Sequence, residues 1–237
     1  MHPFATRRQA LSLAKHGVAL AEVSRRTGVA RSTIRQWKRH PDAWGPSRDC
    51  PRCGMGTLDR PAYAALLGYY LGDGCISCDR AWPGIIEDVS ALVHRIKRGG
   101  RVFHVLPPGT DVVTSHWKHW PCLFPQHGPG RTHERAIALE SWQQAVVDEF
   151  PGDLLRGLFH SDGSRVANWA SRTVGGEQRR HDYPRWMFVN YSDDILGFCT
   201  DALDQVGIAW RRPRPNCIAV SRRDDVRRLD GLIGPKS

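Results

Sequence analysis

Hydrophobic positions follow different periods along the chain. Near the N-terminus, apolar residues recur at helical spacing in three short groups, which Gly17 and Gly28 separate. Further on, two longer apolar runs each end in Asp-Gly: LLGYYLGDG at 66–74 and LLRGLFHSDG at 154–163. The pattern predicts a small helical segment followed by two related units, each of which opens with an apolar helix.

Each apolar run carries small residues four positions apart. They are Gly68 and Gly72 in the first run, and Gly157 and Ser161 in the second. Small residues one helical turn apart share a face and let two backbones approach closely, so we expect these helices to pack together. Asp73 and Asp162 would then end the two helices side by side. A single Asp before Gly often only terminates a helix, but two copies in matching contexts favour a functional pair.

The segments that follow these runs predict two repeats of unequal size. In the second, helical and strand-like patterns alternate in the order α-β-β-α-β-β-α, and the inner helix begins 29 positions after Gly163. In the first repeat the inner helix begins near Pro83, only nine positions after Gly74. Nine positions hold no ordinary two-stranded hairpin, so we expect the first hairpin of this repeat to be shortened or lost.

Charge is concentrated at the N-terminus. Of the net charge of +10 over 237 residues, +8 belongs to residues 1–48 and only +2 to the rest. A short basic segment on a nearly balanced body predicts a polyanionic partner, most often nucleic acid. The third helical group should span Arg31 to Arg39 and begin with Ser32 or Arg31 near its cap. It presents these polar residues away from Ile34 and Trp37: Arg31, Ser32, Thr33, Arg35, Gln36, Lys38 and Arg39.

Arg and Gln on such a helix can read base edges, whereas Lys38 and Arg39 suit phosphates. The alternative is a solvated basic face on a small bundle. The chain has no apolar run long enough for a membrane span and no signal-peptide core, so we expect a cytoplasmic protein without membrane contact. Its seven cysteines then indicate free thiols or a metal site rather than a disulfide framework.

Cys50 and Cys53, in CPRCG, have the spacing of half a zinc site. Cys75 and Cys78 could supply the other half, or Cys75 could be only a small apolar residue, with no metal bound by cysteine. The histidine-rich stretch at 116–135 has no fixed metal-ligand spacing, and most of its histidines are interpreted as surface or loop groups, with one or two able to contact phosphate.

The paired motifs resemble the two signature helices of LAGLIDADG homing endonucleases, and residues 1–42 resemble the helix-turn-helix of transposase and resolvase-type DNA-binding domains. The resemblance implies an α+β fold with a small all-α domain and a pseudo-symmetric αββαββα repeat. The implied domains are a helix-turn-helix at 1–42, a linker with CxxC at 43–58, a first repeat at 59–150 and a second repeat at 151–237.

The resemblance also implies a site for phosphodiester hydrolysis. Asp73 and Asp162 match the family's metal-binding acids and would hold Mg²⁺. Basic residues on the last strand of each repeat would stabilise the charge that develops on the phosphate. By position, the candidates are Lys118 in the first repeat and Arg222 or Arg223 in the second. Since arginine is hardly ever deprotonated, Arg222 and Arg223 are expected to hold phosphate rather than to relay a proton.

Two main functions follow from this resemblance. The first is a sequence-specific, metal-dependent endonuclease acting on double-stranded DNA as a monomer, with a dimer as the alternative. The second is a non-cutting DNA-binding transcription regulator of the same fold, which the shortened first unit favours. A weaker third interpretation is an RNA-binding, maturase-like protein, whose aromatic side chains would stack on bases.

Overall fold

A computed structural model describes residues 2, 4–40, 49–73, 77–79, 82–106, 110–128 and 130–236. It confirms the α+β class. The chain divides into two compact units, one formed by Met1–Leu58 with His116–His127 and the other by Asp59–Ser115 with Gly128–Ser237. Gly74, Cys75 and the linker residues 43–48 lie outside the described residues. The segment 116–127, which we expected in the first repeat, belongs instead with the N-terminal residues.

The first unit contains three helices around a small core. They are α1 (Phe4–Lys15), α2 (Leu20–Thr27) and α3 (Arg31–Arg39), and the short α6 (Trp120–Leu123) belongs to the same unit. Gly28 ends α2 with a φ of 67°, a left-handed conformation that favours glycine. The core of the three helices consists of Ala10, Val23, Val29, Ile34 and Trp37. These are the apolar positions that set the helical period in the sequence.

The second unit contains two successive sets of helices and strands. The first set is α4 (Arg60–Asp73), β1 (Ser77–Asp79), α5 (Pro83–Ile96), β2 (Val102–Val105), β3 (Thr110–Ser115) and α7 (Ser141–Glu149). The second set is α8 (Pro151–Ser161), β4 (Gly163–Val174), β5 (Glu177–Val189), α9 (Asp193–Gln205), β6 (Arg211–Arg214), β7 (Cys217–Val220) and α10 (Arg223–Ile233). Among the described residues, no helix combines the length and the apolar character that crossing a membrane requires.

The two sheets have the same strand order, except for one outer strand. The order is β4-β5-β7-β6 in one sheet and β1-β3-β2 in the other, and all pairs are antiparallel. By this order β1 corresponds to β5, but it has 3 residues where β5 has 13. Within the described residues, the first hairpin of the first repeat is therefore reduced to one short strand, as the spacing of the sequence predicted.

Helices α4 and α8 cross in backbone contact. A Cβ atom built on Gly68 would lie 2.8 Å from the Leu158 nitrogen and 2.9 Å from the Gly157 Cα. One built on Gly157 would lie 2.6 Å from the Tyr69 nitrogen and 2.8 Å from the Gly68 Cα. No side chain larger than hydrogen fits between the backbones at this crossing, because real Cβ atoms do not approach so closely.

A methyl group at the crossing should destabilise the second unit strongly. We expect Gly157→Ala to lower the free energy of unfolding by about 1–3 kcal/mol or more, because backbone atoms of α4 must move. Gly197→Ala in α9 is the matched control: its Cβ meets nothing within 4 Å. That variant should gain about 0.5–1 kcal/mol from helix propensity. Urea unfolding of both variants checks this, and equal effects would contradict the close crossing.

Candidate functional sites

The outward face of α3 is basic and open to solvent. Ile34 and Trp37 are buried, whereas the polar residues predicted to contact DNA lie on the other side. Arg31, Ser32, Arg35, Gln36, Lys38 and Arg39 are exposed, and Thr33 is half-buried. The helix begins after Ala30, which makes no side-chain cap, and Arg31 and Ser32 are its first two residues, next to the cap as predicted.

A buried arginine supports the C-terminal end of α3. Arg7 is 5% exposed, its guanidinium lies 5.7 Å from the centre of the Trp37 ring, and it donates a hydrogen bond to the carbonyl of His40 at 3.2 Å. A cation is favoured near the carbonyls that end a helix. The exposed basic residues of α3 are thus carried by a helix whose far end is tied to α1.

Four possible metal ligands meet in the first unit. The side chains of Cys50, Cys53, His119 and Cys122 place one ligand atom each within 4.8 Å of one another. The His119 Nδ1 lies 3.1 Å from the Cys53 sulfur and 3.8 Å from the Cys122 sulfur. Cys50 and His119 are buried, and the other two are half-buried. We call these four residues the Cys–His cluster, and they could hold a metal ion.

The protonation states of the Cys–His cluster favour metal binding. A hydrogen bond from the Cys122 thiol is the main cause that lowers the pKa of Cys50 to about 5, against the effect of burial. At His119, unlike at Cys50, burial itself lowers the pKa. A thiolate and a neutral imidazole are the forms that bind metals, so little proton release opposes binding at these two residues.

The sequence identified only half of this cluster. Cys50 and Cys53 meet His119 and Cys122. Of the expected second pair, Cys75 and the side chain of Cys78 lie outside the described residues. His119 lies in a turn, but it is 2% exposed and belongs to the cluster, so it is not one of the surface histidines expected in this stretch. The available signal was spacing: HWPC, like CPRC, separates its two ligands by two residues.

At the C-terminal ends of α4 and α8, small residues bring Asp162 next to the neighbouring helix. A Cβ atom on Gly72 would lie 2.7 Å from the Ser161 Cβ and 3.5 Å from the Asp162 Oδ2. All four small residues predicted to pack therefore lie at the contact between the two helices. Asp73 is the last residue of α4, and its side chain lies outside the described part of the structure.

Two groups from other parts of the second unit reach Asp162. The Asn190 Nδ2 donates to its Oδ2 at 2.8 Å. Lys236 donates from Nζ to the carbonyls on either side, at 3.3 Å to Ser161 and 2.7 Å to Gly163. Burial raises the pKa of Asp162 above its ordinary value, and the hydrogen bond from Asn190 and the charge of Lys236 act in the opposite direction.

The predicted basic residues do not lie where the sequence placed them. Strand β3 ends at Ser115, and Lys118 lies in the turn beside His119 in the first unit. Arg222 and Arg223 lie at the start of α10, after the end of β7. The cation beside Asp162 is Lys236, which sequence reasoning missed because it follows α10 and reaches the site only through the tertiary fold.

A buried polar network joins α4, α5 and α8 close to this end. The Tyr69 hydroxyl donates to the Asp88 Oδ2 at 3.0 Å and lies 2.9 Å from the His160 Nδ1. Arg156 forms an ion pair with the same Asp88. Burial lowers the pKa of His160, which favours a neutral ring. The network fixes the rotation of both helices, and hence the direction in which their ends point.

Strands β4 and β5 form a long basic ribbon. Their paired residues extend from Gly163 with Phe188 to Val174 with Glu177. Arg172, Arg179, Arg180 and His181 are exposed on it, and the Arg180 guanidinium lies 5.1 Å from the centre of the exposed Trp169 ring. A two-stranded ribbon of this kind has dimensions that the DNA major groove admits.

Removing the charge of Asp162 should stabilise the fold. Because burial raises its pKa, the ionised form is disfavoured in the folded chain, so Asp162→Asn should gain roughly 0.5–2 kcal/mol at pH 7. The gain should disappear below the ordinary value of 3.8, where the carboxyl group is protonated in both states. Urea unfolding at several pH values checks this, with the exposed Asp201→Asn as control. A loss of stability would show that the contacts with Asn190 and Lys236 outweigh burial.

Comparison with known proteins leaves these sites to be interpreted from their geometry. A scan of protein-family models found no match to the chain, and a search of curated proteins found none either. Three features carry the functional argument: the basic face of α3, the Cys–His cluster and the paired ends of α4 and α8.

Proposed function

We propose that this protein binds double-stranded DNA in a sequence-specific manner. The observation that carries the proposal is the exposed face of α3, on which six polar or basic side chains stand opposite a complete apolar core. The first unit also holds most of the net positive charge, which would attract DNA over a distance comparable to the Debye length. The ribbon of β4 and β5 offers a second basic surface.

Within α3, side chains of different reach would have different tasks. Arg35 and Gln36, in the middle of the helix, have the donors and acceptors that match base edges. Lys38 and Arg39, in its last turn, would hold phosphates and set the position of the helix on the duplex. The half-buried Thr33 would have the least access to DNA among the predicted contacts.

Substitutions in α3 should separate these two tasks. We expect Arg35→Ala to lose about 1–3 kcal/mol of discrimination at one base pair. Lys38→Ala should weaken binding to all sequences and reduce the slope of log affinity against log salt by about one. Titrations of labelled duplexes at several salt concentrations measure both effects.

Arg227→Ala, an exposed residue of α10 with the same change of charge, is the control and should leave specificity and slope nearly unchanged. If Lys38→Ala changed neither affinity nor slope, the assignment of α3 would be wrong.

For the paired helix ends, we propose phosphodiester hydrolysis as the first candidate activity. Asp73 and Asp162 end two helices in backbone contact, and carboxylate oxygens are the ligands that Mg²⁺ prefers. Such an ion, when bound, supplies an activated water and offsets phosphate charge. Asn190 donates to one oxygen of Asp162, and the positive charge of Lys236, close to Asp162, would help to offset the charge of a bound phosphate.

The second candidate is a non-cutting transcription regulator. Asp162 already accepts a hydrogen bond from an amide and has a neighbouring lysine, so the protein itself offsets part of its charge. Strand β1 has only three residues, which leaves the first repeat with little surface for DNA in its described part. Both features are consistent with a pair of helices that has a structural role and no catalytic one.

Cleavage of a randomised duplex library separates the two candidates. An endonuclease should produce ends of defined sequence with Mg²⁺ and none without added divalent ions. Asp162→Asn and Asp73→Asn should lose cutting by about a hundredfold or more while binding persists. A chelator is unsuitable as the blank, because it would also remove metal from the Cys–His cluster. An enriched bound site with no cleavage in any metal would establish the regulator.

For the Cys–His cluster, the ion we propose is zinc. Three sulfur ligands and one imidazole nitrogen make a soft donor set, which binds Zn²⁺ in preference to Mg²⁺ or Ca²⁺. The two metals of the proposal thus belong to different units and different chemistry.

A further inference from the structure

The Cys–His cluster has the dimensions of a site for one tetrahedral ion. With Zn–S distances of about 2.3 Å, the corners of a tetrahedron are roughly 3.8 Å apart. The four ligand atoms already lie within 4.8 Å of one another, so small side-chain rotations suffice to close around an ion. An iron–sulfur cluster, whose cysteines bind different iron atoms, would need a wider separation of the ligands.

All four positions of such a tetrahedron are filled by the protein. Catalytic zinc sites keep one position for water or substrate, whereas closed sites with four protein ligands are structural. The surroundings are partly apolar: the Trp117 ring is 5.5 Å from the His119 ring and 5.3 Å from the Trp120 ring. An aromatic shell of this kind limits the access of water to the ion.

The segments that carry the ligands have few other means of folding. Within 49–58 and 116–127, the described structure contains turns and only one helix, the four residues of α6. Their fully or nearly buried apolar side chains are Cys50, Leu123 and Phe124, together with Pro121. So small a core does not offset the chain entropy of ordering about twenty residues, and structures of this size usually need a metal or disulfide.

We propose that one Zn²⁺ bound by Cys50, Cys53, His119 and Cys122 is a structural clasp that joins 49–58 to 116–127. Folding of these two segments is coupled to zinc. Cys53 and His119 are 66 positions apart in the chain, so the ion closes a long loop, which contains α4, α5 and the first sheet. Helices α1 to α3 have their own core, and they should keep their secondary structure when zinc is removed.

Metal analysis of the full-length protein, refolded with Zn²⁺, tests the ligand set. We expect one zinc per chain in the wild type and less than a tenth of that in Cys53→Ser and Cys122→Ser. Cys75→Ser and Cys78→Ser are the matched controls and should keep their zinc. Loss of zinc in these controls, or its retention in Cys122→Ser, would overturn the assignment, as would a wild type without zinc.

A conservative exchange distinguishes a lost ligand from a general failure to fold. His119→Cys preserves four ligands and should retain one metal, whereas His119→Ala should not. With Co²⁺ in place of zinc, the thiolate charge-transfer absorption should increase by about a third in His119→Cys, because a fourth thiolate joins three. An unchanged intensity would show that His119 is not a ligand.

Hydrogen exchange with and without chelator tests the structural role separately from metal content. Amides of 49–58 and 116–127 should lose protection at least tenfold on zinc removal, while amides of α4 and α8 stay protected. Zinc bound with no change in this protection would overturn the clasp but not the site. None of these readouts depends on DNA, so they fail or succeed independently of the proposed DNA-binding function.

Discussion

The contact between Gly68 and Gly157 is the constraint on which the second unit depends. Two helices whose backbones touch cannot be separated by side-chain repacking, so their mutual position is fixed more tightly than that of helices held apart by leucines. Each helix leads directly into the strands of its own repeat, and α8 also packs on Phe188 and Trp186 through Phe159. Errors at the crossing would therefore move both sheets. The same contact explains why the carboxyl ends of α4 and α8 meet, since helices that touch along small residues stay together to their last turn.

Burial of Asp162 has an energetic cost that the rest of the fold must offset. The surrounding apolar core provides the excess stability, and Asn190 and Lys236 recover part of the lost solvation. A buried carboxyl group with a perturbed pKa is typical of functional sites, where catalysis or binding requires a charged group that the fold alone would disfavour. Structural ion pairs also perturb carboxylates, but here the neighbouring lysine bonds to the backbone carbonyls of Ser161 and Gly163.

Short-range patterns predicted much of this molecule, and long-range contacts explain what they missed. The third helix spans Arg31–Arg39 as its apolar period indicated, because Ile34 and Trp37 can be buried only in that register. The two pairs of small residues in α4 and α8 could be predicted for the same reason, since their spacing alone puts each pair on one face of its helix. His119 and Lys236 were not, because their partners lie far away in the sequence: 66 positions for His119 and Cys53, and 73 for Lys236 and Gly163. Contacts between residues so far apart in the sequence produce no periodic pattern from which they could be predicted. Cys122 was not predicted as a ligand for the same reason, since it lies far from Cys50 and Cys53 in the sequence.

Under the proposed function, the unequal size of the two repeats explains why an additional DNA-binding segment at the N-terminus would be useful. A symmetric pair of repeats would present two long ribbons to DNA, but in the described residues only β4 and β5 reach that length, and β1 has three residues. Binding energy lost on one side can be recovered by a second DNA-binding element on the same chain, because tethering makes its encounter with DNA intramolecular. If the proposed function holds, the three-helix segment is such an element, and the charge of +8 within residues 1–48 would supply phosphate contacts that a missing ribbon cannot make. Sequence recognition would then be divided between α3 and the β4–β5 ribbon, two surfaces that read different base pairs of one extended site.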